Sequence, residues 1–463
     1  MKTLSANERN LRIFKYNNSW YLTVIFAAFI GGNDALQAGV PNSTMGPPEQ
    51  AKTSMENWLL NGQSTLIFQA QPGFHSPYAG ENSLPSDDHV RETFSLDIYA
   101  GVRLWEGAEL YGNMEFYQGF GFHNTRGIAA FPNGEAYKAG SKYGDVIWPH
   151  IMLRQTIGFG GEQETIEGGL LQMAGKVDVN RLTVTVGRFA VFDQFDVNAY
   201  AHDSRGQFMN WALLDAGAFD YAADAFGYTQ GISVEFNQKR WGFRWGAFIA
   251  PKESNGIDLD WNIFRQWQQV AEIEVRYALN EHPGKIRLLG WIERANMGSY
   301  SETLAHPELN MDVTQTRRFR LQGGAVLGLE QQLGINLAGF IRIGWRDGRS
   351  EVWQFTDIDR SLSAGLSLKG KSWGREKDTV GLAWNLEGLS SSHREYLEAG
   401  GIGPLVGDGR LNYGLESVIE TTYDAELRKG VHVAMGYQLV SNPGYNKDRG
   451  PVSIFSARLH FEF

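Results

Sequence analysis

Short segments in which apolar and polar residues alternate recur along most of this chain. In the last of them, Val452 to Phe463, Phe455 and Leu459 fall on one face while Arg458 and His460 fall on the other. The same alternation covers residues 93–104, 319–330, 335–346, 362–369 and 431–439. A period of two predicts β-strands with one apolar and one wet surface. An aromatic residue ending such a strand is typical of outer-membrane barrels.

The length of these segments separates two all-β folds. A soluble sandwich also alternates, but its strands run about 5–6 residues. Tilted strands that cross a bilayer need ~9–11 residues, and the segment 93–104 alone has 12 residues. The polar faces carry Arg, Asp and Glu, which are costly in lipid. We therefore predict an all-β fold, a transmembrane antiparallel β-barrel of about 16 strands around an aqueous lumen.

The first residues have the order of an export signal. Basic residues precede a short apolar run, Trp20 to Ile30, and small residues lead to Ala38. This order predicts a signal peptide over residues 1–38. A transmembrane anchor is the alternative, but the run falls short of the ~20 apolar residues that a spanning helix needs. Residues 39–463 are then expected to form a single barrel domain, exported through the periplasm to the bacterial outer membrane.

Composition agrees with an exported barrel and narrows the partners. Only 20% of the residues are charged, while 13% are aromatic and 55 are glycine. A formal net charge of −10 leaves no basic excess, so we expect no nucleic-acid partner. The absence of cysteine suits an oxidising compartment. The sequence has no HExxH, GxSxG or Cys–His arrangement, and we expect no catalytic residues, cofactor or metal.

Two local motifs resemble ligand-binding sequences without their context. Gly365 to Ser372 has the spacing of a P-loop, but it overlaps a two-faced strand and no helix start follows, so we predict a turn. Asp258 to Asn262 begins like an EF-hand loop. Ile263 and Gln269 stand where that loop needs Gly and Glu, which excludes an EF-hand.

Two stretches depart from the strand pattern. Arg205 to Phe226 has apolar residues, among them Phe208 and Trp211, near helical spacing. This segment either folds into the lumen and narrows it, or forms an external loop packed on its own aromatic residues. Ser390 to Asn412 is rich in Gly and Ser and is predicted to be an exposed loop with little structure of its own.

Several sequence blocks follow one another in an order that is specific as a set. They are Phe74–Leu84, Arg103–Tyr111, Phe131–Ala136, Gln207–Leu213, Gly217–Asp224 and Asn442–Val452, followed by the terminal strand. Together they resemble the carbohydrate-selective porins of Gram-negative outer membranes, the OprB family, with Phe219 and Ala222 departing from the usual pattern. The resemblance implies a sixteen-stranded barrel that passes sugars, usually glucose-type monosaccharides, by passive diffusion.

Polar residues on the predicted inner faces are the candidates for contact with a sugar. They are Asp97, Arg103, Arg320, Gln322, Glu330, Arg342 and Arg346. Their charged groups and amides can hydrogen-bond sugar hydroxyls, while aromatic rings can contact the weakly apolar face of a sugar. Such binding has to stay weak, because a tight site would block flux. Each residue can equally be an ordinary wall charge in channel water.

Three other functions stay open. Arg103, Arg320, Arg342 and Arg346 on the inner faces would suit a general or anion-preferring porin. An outer-membrane hydrolase would need an acid–base constellation on its loops, and His202, Asp203 and His393 do not assemble one. An adhesin or receptor would have a dry, plugged lumen. The expected partners are small saccharides and outer-membrane lipid, and the expected state is a monomer or homotrimer.

Overall fold

The computed structural model describes residues 56–137 and 140–463, and sixteen of the strands close into one antiparallel barrel. The strands are β1 Trp58–Gln71, β2 His89–Trp105, β3 Ala108–Gly119, β4 Ser141–Gly158, β5 Gln163–Ile166, β6 Gly175–Asp178, β7 Arg181–Phe189, β8 Thr229–Asn237, β9 Trp241–Ile249, β10 Trp267–Leu279, β11 His282–Met297, β12 Arg318–Gln332, β13 Leu337–Arg346, β14 Arg360–Lys369, β15 Thr379–Gly388, β16 Glu416–Arg428, β17 Val431–Ser441 and β18 Val452–Glu462. β5 and β6 pair only with each other, as a small separate hairpin. The predicted fold class and strand number are confirmed.

Within residues 56–137 and 140–463 the helices are few and short. They are α1 Trp211–Leu214, α2 Tyr300–Leu304 and α3 Ser391–Glu398. Short 3₁₀ turns lie at Val191–Asp193, Pro307–Leu309, Val313–Thr316 and Gly370–Trp373. Within the described residues, no helix combines the length and apolarity that crossing a bilayer requires.

The alternation in the sequence predicts which side chains form the outer surface of the barrel wall and which form the inner surface. On β2, Ser95 and Asp97 are buried inside the barrel, whereas Ile98 is 42% exposed on its outer surface. On β18, Arg458 is 0% exposed and Phe455 is 52% exposed. The apolar side chains thus form the outer belt and the polar ones face inward, as a barrel in lipid requires.

The first and last strands close the barrel. β1 pairs with β18 in a register that sets Thr65 opposite His460, and the Thr65 Oγ1 lies 2.9 Å from the His460 Nδ1. The backbone of Phe463 continues this pairing, because its N–H donates to the Gly62 carbonyl at 2.9 Å. Closure leaves no open strand edge to meet lipid.

The two rims of the barrel carry different connections. Long connections at one end, the long-loop rim, span residues 72–88, 120–140, 190–228, 250–266, 298–317, 347–359, 389–415 and 442–451. Short turns at the other end, the short-turn rim, span residues 106–107, 238–240, 280–281, 333–336, 370–378 and 429–430. Residues 159–180, which contain the β5–β6 hairpin, are the one long connection at the short-turn rim.

The long connection 190–228 fills much of the lumen. Ala212, Leu213 and Ala222 within it are fully buried. The alternative that placed residues 205–226 inside the barrel is therefore correct, but only α1 within it is helical. Asn210 caps α1 by accepting from the Ala212 N–H at 3.1 Å, and the extended backbone of Asp215 ends it.

The prediction of an exposed, unstructured loop over Ser390 to Asn412 is wrong. Residues 391–398 form α3, which Ser390 caps by accepting from the His393 N–H at 3.2 Å. Leu405 and Val406, farther along the segment, are fully buried. The helix forms because its cap and a buried face outweigh a Gly- and Ser-rich composition.

Two further expectations have different outcomes. Gly365 to Ser372, the P-loop-like segment, lies at the end of β14 and in the turn that follows, as predicted. The predicted signal peptide, residues 1–38, lies outside the described residues and stays a prediction.

Candidate functional site

Three cavities follow one another through the lumen. The middle one, here called the constriction, has a volume of about 310 Å³. A long-loop vestibule of about 640 Å³ shares Ala225 with the constriction, and a short-turn vestibule of about 1,070 Å³ shares Asp193 with it. The smallest of the three cavities thus lies in the middle, between two larger ones.

Among the residues that the structure describes, a single arginine lies between carboxyl groups in the constriction. The Arg205 Nη1 lies 2.7 Å from Asp97 Oδ2, and its Nε lies 2.8 Å from Glu135 Oε2. Its Nη2 lies 3.3 Å from Glu115 Oε1, and the Tyr137 hydroxyl donates to the same carboxyl at 2.9 Å. Asp97 and Glu115 come from the wall, whereas Arg205 and Glu135 come from two different long loops.

The arginine and its loop partner hold each other in their charged forms. Burial alone would lower the pKa of the Arg205 guanidinium, but Asp97, Glu135 and Glu115 outweigh it and raise that pKa well above its usual value. Burial alone would raise the pKa of Glu135, but the charge and hydrogen bond of Arg205 leave it lowered. Hydroxyls of Ser204 and Ser95 also donate to this carboxylate.

Aromatic rings form much of the remaining surface. The aromatic lining residues are Tyr99, Phe131, Tyr137, Phe192, Trp211, Tyr221, Phe226, Tyr228 and Phe355. Phe131 stacks on Trp211 with centroids 5.0 Å apart and planes inclined by 15°. The Tyr221 hydroxyl is buried and has no hydrogen-bond partner among the described residues. The constriction therefore combines charged groups with an aromatic wall.

Two histidines also line the constriction. Burial and the nearby Arg342 lower the pKa of His202, so its ring is neutral at neutral pH. The His150 Nε2 lies 2.9 Å from Asp193 Oδ2, and its Nδ1 lies 3.1 Å from Asn113 Oδ1. Both rings thus add hydrogen-bonding groups to the same cavity.

Carboxylates on the inner wall hold the loops that form the constriction. Glu420 accepts the N–H groups of Met209 and Asn210 at 2.7 and 2.9 Å. Glu416 accepts those of Ala129 and Ala130 at 3.0 and 2.7 Å. These contacts fix residues 190–228 and 120–140 against β16, next to Trp211 and Phe131.

Arg342 on β13 holds the loop 190–228 from the other side. Its guanidinium lies 3.1 Å from Asp196 Oδ1. It also donates to the carbonyls of Ala201, Leu213 and Leu214 at 2.8, 2.9 and 3.2 Å. Arg342 is 1% exposed, so its guanidinium holds the loop in position and does not face the channel.

The predicted sugar-contact residues lie in different places. Asp97 lines the constriction, and Arg103 lines the short-turn vestibule, 2.8 Å from Glu109. Arg320 lies at the long-loop rim with its Nη2 2.6 Å from Glu302 Oε2.

The other four predicted residues are buried in contacts with the protein itself. Gln322 donates to Glu293 at 2.7 Å, and Glu330 lies 3.2 Å from Arg287. Arg346 is 0% exposed and pairs with Asp359, while Arg342 lies under the loop 190–228. The alternation along the strands placed all four on the inner side. Of the seven predicted residues, the structure brings Asp97 alone into the constriction. Contact of any of the seven with a sugar stays a prediction.

The loop residues of the constriction were not identified as candidates from the sequence. These residues, which include Arg205, Glu135 and Trp211, do not lie on strands. The alternation of polar and apolar positions therefore cannot show which way their side chains point. A signal was nevertheless present, because Phe131–Ala136 and Gln207–Leu213 are two of the blocks that carry the family resemblance. Both blocks contribute lining residues to the constriction.

The histidines weighed for a hydrolase have other surroundings. His393 is fully buried, its Nδ1 is 3.0 Å from Asp359 Oδ2, and its ring stacks on Tyr300 at 4.3 Å. This network ties α2 and α3 together at the long-loop rim. His202 lies in the constriction rather than beside His393.

Comparison with known proteins finds one family and several similar solved structures. The model of the family described as "Carbohydrate-selective porin, OprB family" matches residues 81–463. The high-pH structure of Pseudomonas putida OprB is similar with a TM-score of 0.67 and 14% identity, over 88% of this chain and 94% of that chain. The outer-membrane channel DcaP of Acinetobacter baumannii gives 0.48 and 9%, over 88% and 97%. No curated protein sequence matches.

We expect Arg342→Met to widen the channel. The substitution leaves Asp196 and three loop carbonyls without their buried partner, so unfolding free energy should fall by about 3–5 kcal/mol and the loop 190–228 should loosen. Single-channel conductance in planar bilayers should rise, and denaturant titration in micelles should show the lost stability. Arg318→Met is the control, because that side chain is 64% exposed. An Arg342 variant that matches this control would contradict the assigned role.

The pairing of Glu135 with Arg205 should resist mild acid. The lowered pKa of Glu135 means that its pairing with Arg205 is complete above the usual carboxyl value of 4.5 and is lost only as the pH falls through the lowered pKa. The contribution of this pair to ion selectivity, measured as the difference in reversal potential between the unchanged channel and Glu135→Gln, should therefore stay constant from about pH 8 to about pH 5. The difference should shrink in stronger acid, where Glu135 takes up a proton. A titration of selectivity near neutral pH that Glu135→Gln abolishes would contradict this assignment.

Proposed function

Because the chain belongs to the carbohydrate-selective porin family, OprB, and is a channel of the bacterial outer membrane, we propose that its constriction passes neutral, glucose-type monosaccharides by passive diffusion. The observation that carries the proposal is the pairing of the Arg205–carboxylate cluster with an aromatic wall in a cavity of about 310 Å³. That volume lies at the small end of ligand-sized cavities, roughly 300–1,000 Å³.

The chemistry of the lining suits a sugar better than an apolar solute. Sugar hydroxyls both donate and accept hydrogen bonds, and Arg205 and Glu135 supply the complementary charged partners. The C–H face of a sugar ring can lie on Phe192, Phe226 or Tyr228, which line the constriction and are half-buried.

The same cluster explains why binding stays weak. Arg205 already donates to Asp97 and Glu135, so a sugar exchanges existing bonds for new ones and gains little free energy. A channel needs this balance, because cargo has to leave as readily as it enters. The proposal involves no chemical step.

The anion-porin alternative has less support from the constriction. Among its lining residues the carboxylates are Asp97, Glu135, Asp193 and Asp203, and the one arginine is Arg205. Carboxylates in excess make the local potential negative and raise the cost of passing an anion. The inner-wall arginines that suggested anion selectivity pair with carboxylates elsewhere, Arg103 with Glu109 and Arg346 with Asp359.

The remaining partners are proposals of the same kind. The outer belt of exposed apolar side chains, such as Ile98 and Phe455, suits contact with outer-membrane lipid. Monomer and homotrimer both remain compatible with this belt. The family and the fold favour a channel over a hydrolase.

Planar-bilayer recording tests the proposal directly. Purified protein is inserted into bilayers, and glucose, maltose, succinate and phosphate are added in turn while single-channel conductance is recorded. We expect glucose to reduce the conductance saturably and the two acids to leave it nearly unchanged. Block by the acids alone would favour an anion porin. Absence of channels from correctly folded protein would contradict the proposal.

Arg205→Gln should weaken the sugar effect and change ion selectivity. Because a sugar exchanges existing bonds of Arg205 for new ones, loss of this arginine should cost less than a full charged hydrogen bond of ~1.5–3 kcal/mol, so the half-blocking glucose concentration should rise by up to roughly tenfold. The cation-over-anion permeability ratio should rise as well, because the carboxylates lose their counter-charge. Arg103→Gln, in the short-turn vestibule, is the matched control. Equal effects of the two variants would remove Arg205 from the sugar path.

A further inference from the structure

A short segment enters the lumen from the short-turn rim. Residues 167–174, here called the tongue, connect β5 to β6 and turn at Leu170 and Leu171. Gly169 and Gln172 flank the turn, and the Gly169 N–H donates to the Gln172 carbonyl at 2.8 Å. Tight turns usually carry Gly, Pro, Asn, Asp or Ser at their tips. Two leucines at this tip indicate that it is placed against something other than bulk water.

The tongue is bonded to the inner wall on both sides of its tip. The Gly169 carbonyl accepts from Asn61 Nδ2 of β1 at 3.0 Å. The Met173 N–H donates to the Tyr111 hydroxyl of β3 at 3.2 Å. A third strand, β4, contributes Arg154, whose Nη1 donates to Gln172 Oε1 at 2.9 Å. Three strands therefore fix the tip in place.

The tip lies at the boundary between two cavities. Leu170 and Leu171 line the constriction, and both pack against the main apolar cluster of the lumen. Gln172 and Met173, the next two residues, line the short-turn vestibule. The tongue therefore separates the narrow part of the channel from the chamber on its short-turn side.

We propose that Leu170 and Leu171 are specificity-determining residues that form an apolar floor of the constriction and set the size of saccharide that passes. This inference rests on the proposed function, since it concerns the same channel. Leucine side chains form no hydrogen bonds. A sugar hydroxyl that faces them loses its hydrogen bonds to water and gains none in return, which costs free energy. A monosaccharide can direct its hydroxyls to the Arg205 cluster and its C–H face to the leucines. A longer saccharide has more hydroxyls and more bulk to bring past the same floor.

Changing the volume of the tip in both directions tests this inference. In liposome-swelling assays with glucose, maltose and raffinose, Leu170→Ala combined with Leu171→Ala should admit maltose and raffinose several-fold faster. Its single-channel conductance should also rise. Leu170→Trp should lower the conductance and slow glucose. The single substitution keeps the experiment decisive if the double variant folds poorly.

Leu333→Ala is the control, because this leucine lies on another connection of the short-turn rim and is 52% exposed. Its conductance and size limit should match those of the unchanged protein. If both tip variants keep the normal conductance and size limit while glucose still blocks the unchanged channel, the role of the tongue is wrong and the proposed function stands. If the unchanged channel responds to no sugar, the proposed function itself fails.

Discussion

The lumen of this barrel depends on one requirement, that the backbone N–H groups of loops folded into it find acceptors away from water. A sixteen-stranded barrel is too wide for side chains alone to fill, so loops have to occupy it if the channel is to be narrow. Buried N–H groups without acceptors are costly. Glu272, Glu330, Glu416 and Glu420 on the inner wall meet the requirement by accepting the N–H groups of Asp196, Ala199, Ala130 and Met209. Many charged side chains of the inner wall therefore act first to hold the loops in position, and contact with cargo is secondary.

The strands form the wall of the barrel and the loops fill its lumen, and this difference explains how far the sequence could predict the structure. Alternation with a period of two identified the strands, because opposite faces of a strand meet lipid and water. It also placed residues such as Arg342 and Arg346 on the inner side. It could not show that loops cover them, because the pattern of a strand contains no information about what folds against it. For the same reason the sequence did not reveal the Arg205–Glu135 pair, whose members are 70 positions apart on separate loops.

Loop sequences gave weaker signals, and composition was a poor guide to them. A high content of Gly and Ser suggested an unstructured segment after Ser390, yet the cap and buried face of α3 decide its conformation. The tongue went unrecognised because residues 159–180 show no clear alternation and its two leucines look unremarkable in a sequence. By contrast, the blocks that resemble the OprB family lie mostly on the loops and turns. A strand face accepts many apolar residues, whereas a loop in the lumen needs particular groups at particular places.

The three cavities differ in volume, about 640, 310 and 1,070 Å³ from the long-loop to the short-turn side. Such a shape looks directional, but no energy source is coupled to passive diffusion, and detailed balance forbids rectification by geometry alone. At equal sugar activities on the two sides, opposing fluxes cancel whatever the profile between them. The constriction controls how quickly equilibrium is approached, not where it lies. Net accumulation would therefore require capture or consumption of free sugar on one side of the membrane.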